Sequence, residues 1–402
     1  MAREHPQSGF ALGRIVSGLR ILYLAHDLAD AAVARRVAML QDGGATVALA
    51  GFARRNVEDV AGVHPTELGR SREGRMLHRL RAVGGALVTA PTRIADIHAD
   101  VIVARNLEML VLAHRLSRGK FPVIYECLDI HRLMLGGGPV ALGLRALERK
   151  LARRSALLLT SSSAFVERHF RPSGIDLPIE LVENRVFDPS NSGAPLERIA
   201  RKARGPITIG WFGALRCRRS FEALARFTRA TDGRFQVIMR GRPAIGVLDD
   251  LEHRAADEPY MRFQGPYAYP DDLASIYAEV DLTWAVDFYE AGQNSDWLLP
   301  NRLYEGGLYG AVPIAVAGNE THRFLDRHAI GVTLPSLDLG DMLNTLGSID
   351  ASAAQQLHAA VTALPRSTWL ADRGACRDLV ERLRSAADPT QRVRTPRKEV
   401  PA

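Results

Sequence analysis

Short apolar runs alternate with amphipathic segments along most of this chain. The first run, residues 20–25, precedes a helical pattern over 30–41, and a second apolar run follows at 46–50. Short apolar runs are typical of strands buried on both faces, and intervening helices imply that such strands pair in parallel. The loop after the first strand lacks G-x-G-x-x-G, which counts against a dinucleotide-dependent dehydrogenase. The pattern therefore predicts a doubly wound α/β fold.

A polar stretch divides the alternating pattern into two parts. Proline, serine, glycine and scattered charges dominate residues 188–205, a composition typical of a linker. A chain of 402 residues is long enough for two domains with separate cores. The predicted order is a disordered lead-in at 1–18, an N-terminal domain at 19–189, a linker at 190–204, a second domain at 205–367, a helix at 368–387 that returns to the first domain, and a disordered basic tail at 388–402.

Residues 281–317 contain the most informative pattern of the second domain. Between two apolar strands, a polar loop leads into a short helix that begins near Pro300 and Asn301 and ends at Gly310. We expect Asn301 to cap this helix, since its side chain can accept a hydrogen bond from a first-turn amide. A helix N-terminus at the carboxyl ends of parallel strands suits a diphosphate, and Glu305, about one turn further on, suits a ribose diol. The alternative is an ordinary strand–helix–strand unit with a surface glutamate.

Composition and charge narrow the class of protein. The chain is 47% hydrophobic but has no apolar run long enough to cross a bilayer. Three widely spaced cysteines argue against a disulfide framework and fit a reducing cytoplasm, and no Cys or His cluster suggests a metal. The net charge of +7, mostly from arginine, favours phosphate-bearing partners. No zinc finger, RNA-binding signature or helix-turn-helix pattern indicates nucleic acid.

A cluster of arginines follows the first strand of the second domain. Gly213 allows close approach of a backbone or ligand, and Arg216, Arg218 and Arg219 precede the helix predicted at 221–229. Arginine grips phosphate oxygens in pairs. A solvated arginine cluster is the alternative, but cations disfavour a helix N-terminus unless an anion binds there.

Three candidate acid–base groups follow a strand of the first domain. Glu126, Asp129 and His131 lie at or beyond the carboxyl end of the strand at 121–126, where open α/β sheets bind ligands. Each is of a type that can act as a general base, and at least one of them is expected only to cap the next turn. Asp129 is the first choice and His131 the second.

The segment 69–98 combines an apolar face with many arginines. Its cations are Arg70, Arg72, Arg75, Arg79 and Arg81. Two interpretations stay open, namely docking of a basic helix to an anionic membrane or lipid diphosphate, and a solvated helix packed on the sheet. A glycine pair at 84–85 weakens a long helix and suggests two pieces.

The stretch LPNRLYEGGLYGAVPIA at 299–315 resembles the nucleotide-sugar site of GT-B glycosyltransferases, particularly the family-4 type and the related exopolysaccharide transferases. The resemblance implies two Rossmann-like doubly wound domains that face each other across a cleft. It also implies that Glu305 binds the ribose. The usual second glutamate, eight positions earlier, is replaced here by Trp297, with Asp296 adjacent and Glu290 and Asp287 in the preceding loop.

Further matches to this family extend over residues 20–340. Arg219 stands where the family has a lysine after its glycine turn, Gly241 lies in a turn beside the nucleotide, and Tyr267 follows a strand that passes the base. For Tyr267, simple packing is the alternative. The implied donor-binding set is Gly213, Arg216, Arg218, Arg219, Gly241, Tyr267, Asp296, Asn301, Arg302 and Glu305.

The resemblance implies a metal-independent hexosyltransferase without a cofactor. Its donor is a UDP- or GDP-linked sugar, and its acceptor is a hydroxyl of a saccharide, expected to be lipid-linked, in exopolysaccharide or cell-surface glycan synthesis. The expected location is the cytoplasm, with peripheral contact to the inner face of the membrane through residues 70–81. The alternatives are a nucleotide-sugar 2-epimerase of the same fold and a non-catalytic nucleotide-sugar-binding or scaffold protein.

Overall fold

The computed structural model describes residues 18–70, 76–188, 205–244 and 246–388, and the side chains of residues 76–83 are left aside. Nearly all of the predicted lead-in, linker and tail therefore lies outside the described residues. Two parallel sheets dominate the fold, one within residues 20–181 and the other within 207–334. The predicted α/β class with two doubly wound halves is confirmed.

The first half is a parallel sheet with helical connections. Its strands are β1 (Arg20–Ala25), β2 (Thr46–Ala53), β3 (Thr66–Arg70), β4 (Val101–Arg105), β5 (Val123–Cys127), β6 (Leu157–Thr160) and β7 (Ile179–Leu181). Its helices are α1 (Ala31–Asp42), α2 (Met76–Arg93), α3 (Asn106–Ser117), α4 (Arg132–Leu135), α5 (Pro139–Ala152) and α6 (Ser163–Phe165), which continues into a π-helical turn at Val166–Phe170. The strand order is β3-β2-β1-β4-β5-β6-β7.

Both faces of the first sheet are buried, as the apolar runs predict. Along β1, Ile21 and Tyr23 face one core while Leu22 and Leu24 face the other, since alternate side chains of a strand point to opposite sides. Helix α1 covers the first of these faces, and α2 and α3 cover the second.

The second half repeats the plan with a six-stranded parallel sheet and a small additional pair. Its strands are β8 (Val186–Phe187), β9 (Ile207–Leu215), β10 (Phe235–Pro243), β11 (Met261–Phe263), β12 (Leu282–Trp284), β13 (Val312–Val316), β14 (Val332–Leu334) and β15 (Leu370–Ala371). Its helices are α7 (Arg218–Ala230), α8 (Leu251–Ala256), α9 (Leu273–Ala278), α10 (Asn294–Trp297), α11 (Asn301–Leu308), α12 (Glu320–His328), α13 (Leu339–Thr345) and α14 (Ala351–Ala363), then a 3-10 turn at Arg366–Thr368 and α15 (Arg373–Ala387). The sheet order is β11-β10-β9-β12-β13-β14.

The last described part of the chain, residues 370–387, returns to the first half. Strand β15 pairs in parallel with β8, and α15 then packs against α1. Leu379, Val380 and Leu383 of α15 are buried in the same core cluster as Val33 and Val37 of α1. Helix α15 thus completes a core that is otherwise built largely by the first half.

Several element boundaries differ from the predicted ones. Helix α11 begins at Asn301, with Pro300 in the cap position and no side-chain cap, so the predicted Asn301 cap is wrong. Helix α7 begins at Arg218 rather than at residue 221, because the Cys217 sulfur accepts the Ser220 amide and caps the first turn. Helix α2 continues through the glycine pair at 84–85 as one element. None of the described helices is both long and apolar enough to span a bilayer.

Candidate functional site

Two segments meet at one edge of the second sheet, namely the turn at 213–219 after β9 (the arginine turn) and the loop at 285–300 before α11 (the α11 loop). Strands β9 and β12 are neighbours, so the loops at their carboxyl ends lie side by side. Arg216, after β9, donates from Nη2 and Nε to Oδ2 of Asp287, after β12, at 2.6 and 3.0 Å. This ion pair joins the two loops that were predicted to hold a diphosphate between them.

Arg302 hydrogen-bonds to main-chain carbonyls near the same edge of the sheet. It is buried, and it donates to the carbonyl oxygens of Phe212, Ala214 and Val286 at 3.3, 3.5 and 3.1 Å. Burial lowers the pKa of Arg302, although the Asp287 charge opposes this effect. The predicted role of Arg302 as a direct donor ligand does not fit this geometry, because the guanidinium is buried and both of its terminal nitrogens donate to main-chain carbonyls of β9 and of Val286, just after β12.

Two glycines let the ends of β9 and β10 approach closely. Gly213 has φ +97° and Gly241 has φ +133°, conformations that L side chains rarely adopt. A Cβ at Gly241 would lie 1.9 Å from the Gly213 carbonyl oxygen, so only glycine fits there. Tyr267 packs edge-on against Phe212, and its hydroxyl would lie 3.8 Å from a Cβ at Gly213. Burial and the nearby Glu305 raise the pKa of Tyr267.

The other two arginines occupy the first turn of α7. Arg218 is exposed and donates to the Val247 carbonyl at 3.0 Å. Arg219 is exposed and lies over the Phe288 ring at 4.5 Å, and in the described part of the chain no carboxylate pairs with it. Its charge is therefore available to an anion.

Glu305 lies inside the second half, one turn into α11. Its side chain is buried, and Oε2 accepts a hydrogen bond from the Tyr277 hydroxyl at 3.2 Å. Burial raises the pKa of Glu305 to about 7, while the Tyr277 hydrogen bond and the Arg35 and Arg302 charges act in the opposite direction. The alternative of an ordinary surface glutamate is therefore wrong.

A glycine pair after Glu305 sets how deeply α11 packs. A Cβ at Gly306 would lie 2.5 Å from the Thr283 side chain of β12, and one at Gly307 would lie 2.3 Å from the Trp369 ring. This requirement was not predicted from the sequence, although two consecutive glycines inside a helical pattern are a visible sign of it. Asn301, at the start of the same helix, is exposed.

On the first half, the three acid–base candidates have different surroundings. Asp129 and His131 are exposed beyond the end of β5, and His131 Nδ1 accepts the Leu133 amide at 3.3 Å and caps α4. The backbone carbonyl of Asp129 accepts a hydrogen bond from the Cys127 thiol. Asp129 and His131 thus remain accessible, while His131 also has the predicted capping role.

Glu126 does not fit the predicted role of acceptor-side base. It is fully buried, accepts from Arg36 Nε at 2.6 Å, lies 3.6 Å from Arg105, and accepts the Tyr23 hydroxyl. Burial opposes ionisation, but the Arg36 and Arg105 charges hold the pKa of Glu126 below its ordinary value. Glu126 is a structural ion-pair partner within the sheet.

The segment between β12 and α11 contains the remaining candidate, Asp296 of the short helix α10. Its Oδ2 accepts the Gly292 amide at 3.0 Å and closes a turn within the loop. Trp297 packs edge-on against Phe165 of the first half, with 6.2 Å between ring centroids. Asn294, three residues before Trp297, was not predicted as a site residue because no local sequence pattern marks it, yet its side-chain amide hydrogen-bonds to Ile130 of the first half.

Comparison with known proteins places this architecture in a class. HepE of Anabaena, solved in complex with UDP, superposes with a TM-score of 0.65 over 92% of this chain and 100% of its own, at 15% identity. Sucrose-phosphate synthase of Thermosynechococcus elongatus superposes with a TM-score of 0.63 over 91% and 98%, at 13% identity. The fold is that of the GT-B glycosyltransferases, with two Rossmann-like domains across a cleft.

The sequence itself identifies the family. The chain is 46% identical over 377 residues to the succinoglycan biosynthesis protein ExoL of Rhizobium meliloti strain 1021, covering 91% of this chain and 93% of the relative. The chain therefore belongs to the ExoL family. No protein-family model matches it.

Proposed function

We propose that this protein is a glycosyltransferase that moves a sugar from a nucleoside-diphosphate sugar to a hydroxyl of a saccharide acceptor in exopolysaccharide synthesis. The observation that carries the proposal is the shared edge of β9 and β12, where the Arg216–Asp287 ion pair joins the arginine turn to the α11 loop. The ExoL relative is named for succinoglycan biosynthesis, and the HepE neighbours were solved with UDP and UDP-glucose.

The arginine turn and the start of α11 supply positive charge for the leaving group. As the glycosidic bond breaks, negative charge develops on the diphosphate. Arg219 has no carboxylate partner in the described part of the chain, and the Asn301 and Arg302 amides precede the first main-chain hydrogen bond of α11, from the Leu303 amide to the Pro300 carbonyl. Arg216 is shared with Asp287 and can turn toward phosphate, because its side chain is one-third exposed.

Glu305 is proposed to bind the ribose. A carboxylate can accept hydrogen bonds from two neighbouring hydroxyls, and such charge-assisted bonds are strong. Tyr267 and Gly241 line the approach on the β10 side, where the base is proposed to lie. A UDP- or GDP-linked donor meets these requirements.

The acceptor is proposed to bind at the carboxyl edge of the first sheet. Asp129 is exposed there and is the first candidate for the general base, with His131 the second. Closure of the two halves would exclude water that competes with the acceptor hydroxyl. A lipid-linked acceptor, reached at an anionic membrane through residues 70–81, belongs to the same proposal. Arg70 pairs with Glu67 at 3.3 Å, and the other arginines of this segment lie outside the described side chains.

The proposal is tested by ligand binding first and by transfer second. Purified protein is screened against UDP- and GDP-sugars for a rise in melting temperature, since a ligand selective for the folded state stabilises it. Arg219→Ala and Glu305→Ala should each abolish transfer from the stabilising donor. Arg226→Ala is the matched control, because Arg226 is exposed on the same helix α7. Unchanged transfer in both site variants would remove the assignment, and binding without transfer to any saccharide would favour a non-catalytic role.

A further inference from the structure

A buried asparagine links the two halves beside residues 129–131, the segment proposed to bind the acceptor (the acceptor loop). Asn294 of α10 accepts the Ile130 amide on Oδ1 at 3.0 Å and donates from Nδ2 to the Ile130 carbonyl at 2.6 Å. Its side chain is buried, and Ile130 lies between Asp129 and His131 in sequence. The amide thus pairs with the main chain of the opposite half as a neighbouring strand would.

The same amide also holds a carboxylate. Asn294 Nδ2 donates to Oε2 of Glu290 at 2.7 Å, and the Glu290 backbone amide donates to the Ser295 hydroxyl at 2.9 Å. Within the described part of the chain, Oε1 of Glu290 has no hydrogen-bond partner, and the residue is only partly buried. One oxygen of Glu290 is therefore fixed and the other can accept a ligand hydroxyl.

The other two acids of this loop are engaged elsewhere. Asp287 Oδ2 accepts from Arg216, and its Oδ1 accepts the Tyr289 amide at 2.9 Å. Asp296 closes a turn onto the Gly292 amide. The position that resembles the family's second glutamate is Trp297, which packs on the first half. Of the acids in this loop, only Glu290 is held against the acceptor loop.

We propose that Glu290 is the carboxylate that receives hydroxyls of the donor sugar, and that Asn294 is the positioning residue that holds it against residues 129–131. This inference rests on the proposed function. An anchored carboxylate fixes the sugar with little entropy cost, because its geometry is set before the donor arrives. Because the Asn294 side chain bonds both Glu290 and Ile130, it sets the distance between the donor sugar and the acceptor loop.

The first test distinguishes contacts with the donor sugar from contacts with the nucleotide. Affinities of the wild type and Glu290→Gln for UDP and for UDP-glucose are measured by calorimetry. The Gln variant retains an oxygen for Asn294 but loses the charge, so affinity for UDP-glucose should fall about tenfold while affinity for UDP is unchanged. Glu252→Gln, an exposed carboxylate on α8, is the matched control. Equal effects of Glu290→Gln on both ligands would overturn the inference and leave the proposed function standing, whereas a wild type that binds no nucleotide sugar would count against the function itself.

The second test addresses Asn294 without any ligand. In Asn294→Ala, hydrogen exchange at the Ile130 amide should accelerate about tenfold or more, because its acceptor is gone, while exchange in β9 stays unchanged. Asn294→Asp has nearly the same shape, keeps that acceptor and loses the donor. It should therefore protect the Ile130 amide yet lose the preference for UDP-glucose over UDP, since two carboxylates would face each other. Retention of that preference in Asn294→Asp would overturn the positioning role.

Discussion

Burial of Glu305 predicts that its ionisation costs folding stability, and Glu305→Gln removes that cost. Burial raises the pKa of Glu305 from the ordinary 4.5 to about 7. The folded protein therefore keeps a proton that the unfolded chain releases between pH 4.5 and pH 7. The protonated Glu305 side chain therefore stabilises the folded protein. This contribution is fully present below pH 4.5 and is lost as pH rises through 7.

The magnitude follows from the same pKa difference. One pKa unit corresponds to about 1.4 kcal/mol, so ionised Glu305 costs about 3 kcal/mol at pH 8 and almost nothing at pH 4.5. A glutamine keeps an oxygen for the Tyr277 hydroxyl but carries no charge. The variant should therefore be more stable than the wild type by up to about 3 kcal/mol at pH 8 and about equal to it at pH 4.5.

Urea denaturation of both proteins at pH 4.5 and pH 8 measures this difference, because titrations shared by the two proteins cancel. The Glu252→Gln control should show no pH-dependent difference from the wild type, since Glu252 is exposed. A donor ribose that binds ionised Glu305 should also bind about tenfold more tightly per pH unit up to pH 7, and this dependence should vanish in Glu305→Gln. A stability difference that is the same at both pH values would show that burial does not raise the pKa of Glu305.

Three further predictions concern packing and ion pairs. Gly241→Ala should destabilise the protein by about 3 kcal/mol or more, because the alanine Cβ would meet the Gly213 carbonyl. The measurement is a lower melting temperature, and an unchanged melting temperature would contradict this prediction. Glu126→Gln should lower the free energy of unfolding, measured with denaturant, by about 3–5 kcal/mol, because the buried Arg36 and Arg105 lose their counter-charge. A loss below about 1 kcal/mol would show that the two arginines do not depend on the Glu126 charge. Trp297→Ala should cost about 2 kcal/mol, less than a fully buried tryptophan, because Trp297 is only partly buried. It should also enlarge the radius of gyration in X-ray scattering, because it removes a contact between the halves, and unchanged scattering would show that this contact does not hold them together.

The sequence predicts the fold well where burial repeats along the chain. Strand β1 is found at the predicted bounds because both faces of a central strand are apolar. The start of α11 was off by one residue, because Pro300 takes the extended cap conformation and leaves Asn301 inside the helix.

The site residues were harder to predict, because their roles depend on partners far away in sequence. Glu126 looked like an accessible base, but its counter-charges come from α1 and from the end of β4. Arg302 looked like a diphosphate ligand, but it reaches carbonyls of β9, which is distant in sequence. Asn294 gave no signal, since a lone asparagine in a polar loop looks the same whether it is solvated or buried against another domain.

The packing of α15 on α1 has a consequence for biosynthesis. On the ribosome, the first half emerges long before residues 373–387 are made. Until then, the apolar face of α1 around Val33 and Val37 lacks the cover that Leu379 and Leu383 provide. The nascent first half therefore keeps this face partly uncovered until α15 has been made, and a premature stop codon upstream of α15 would leave a chain prone to aggregation or degradation.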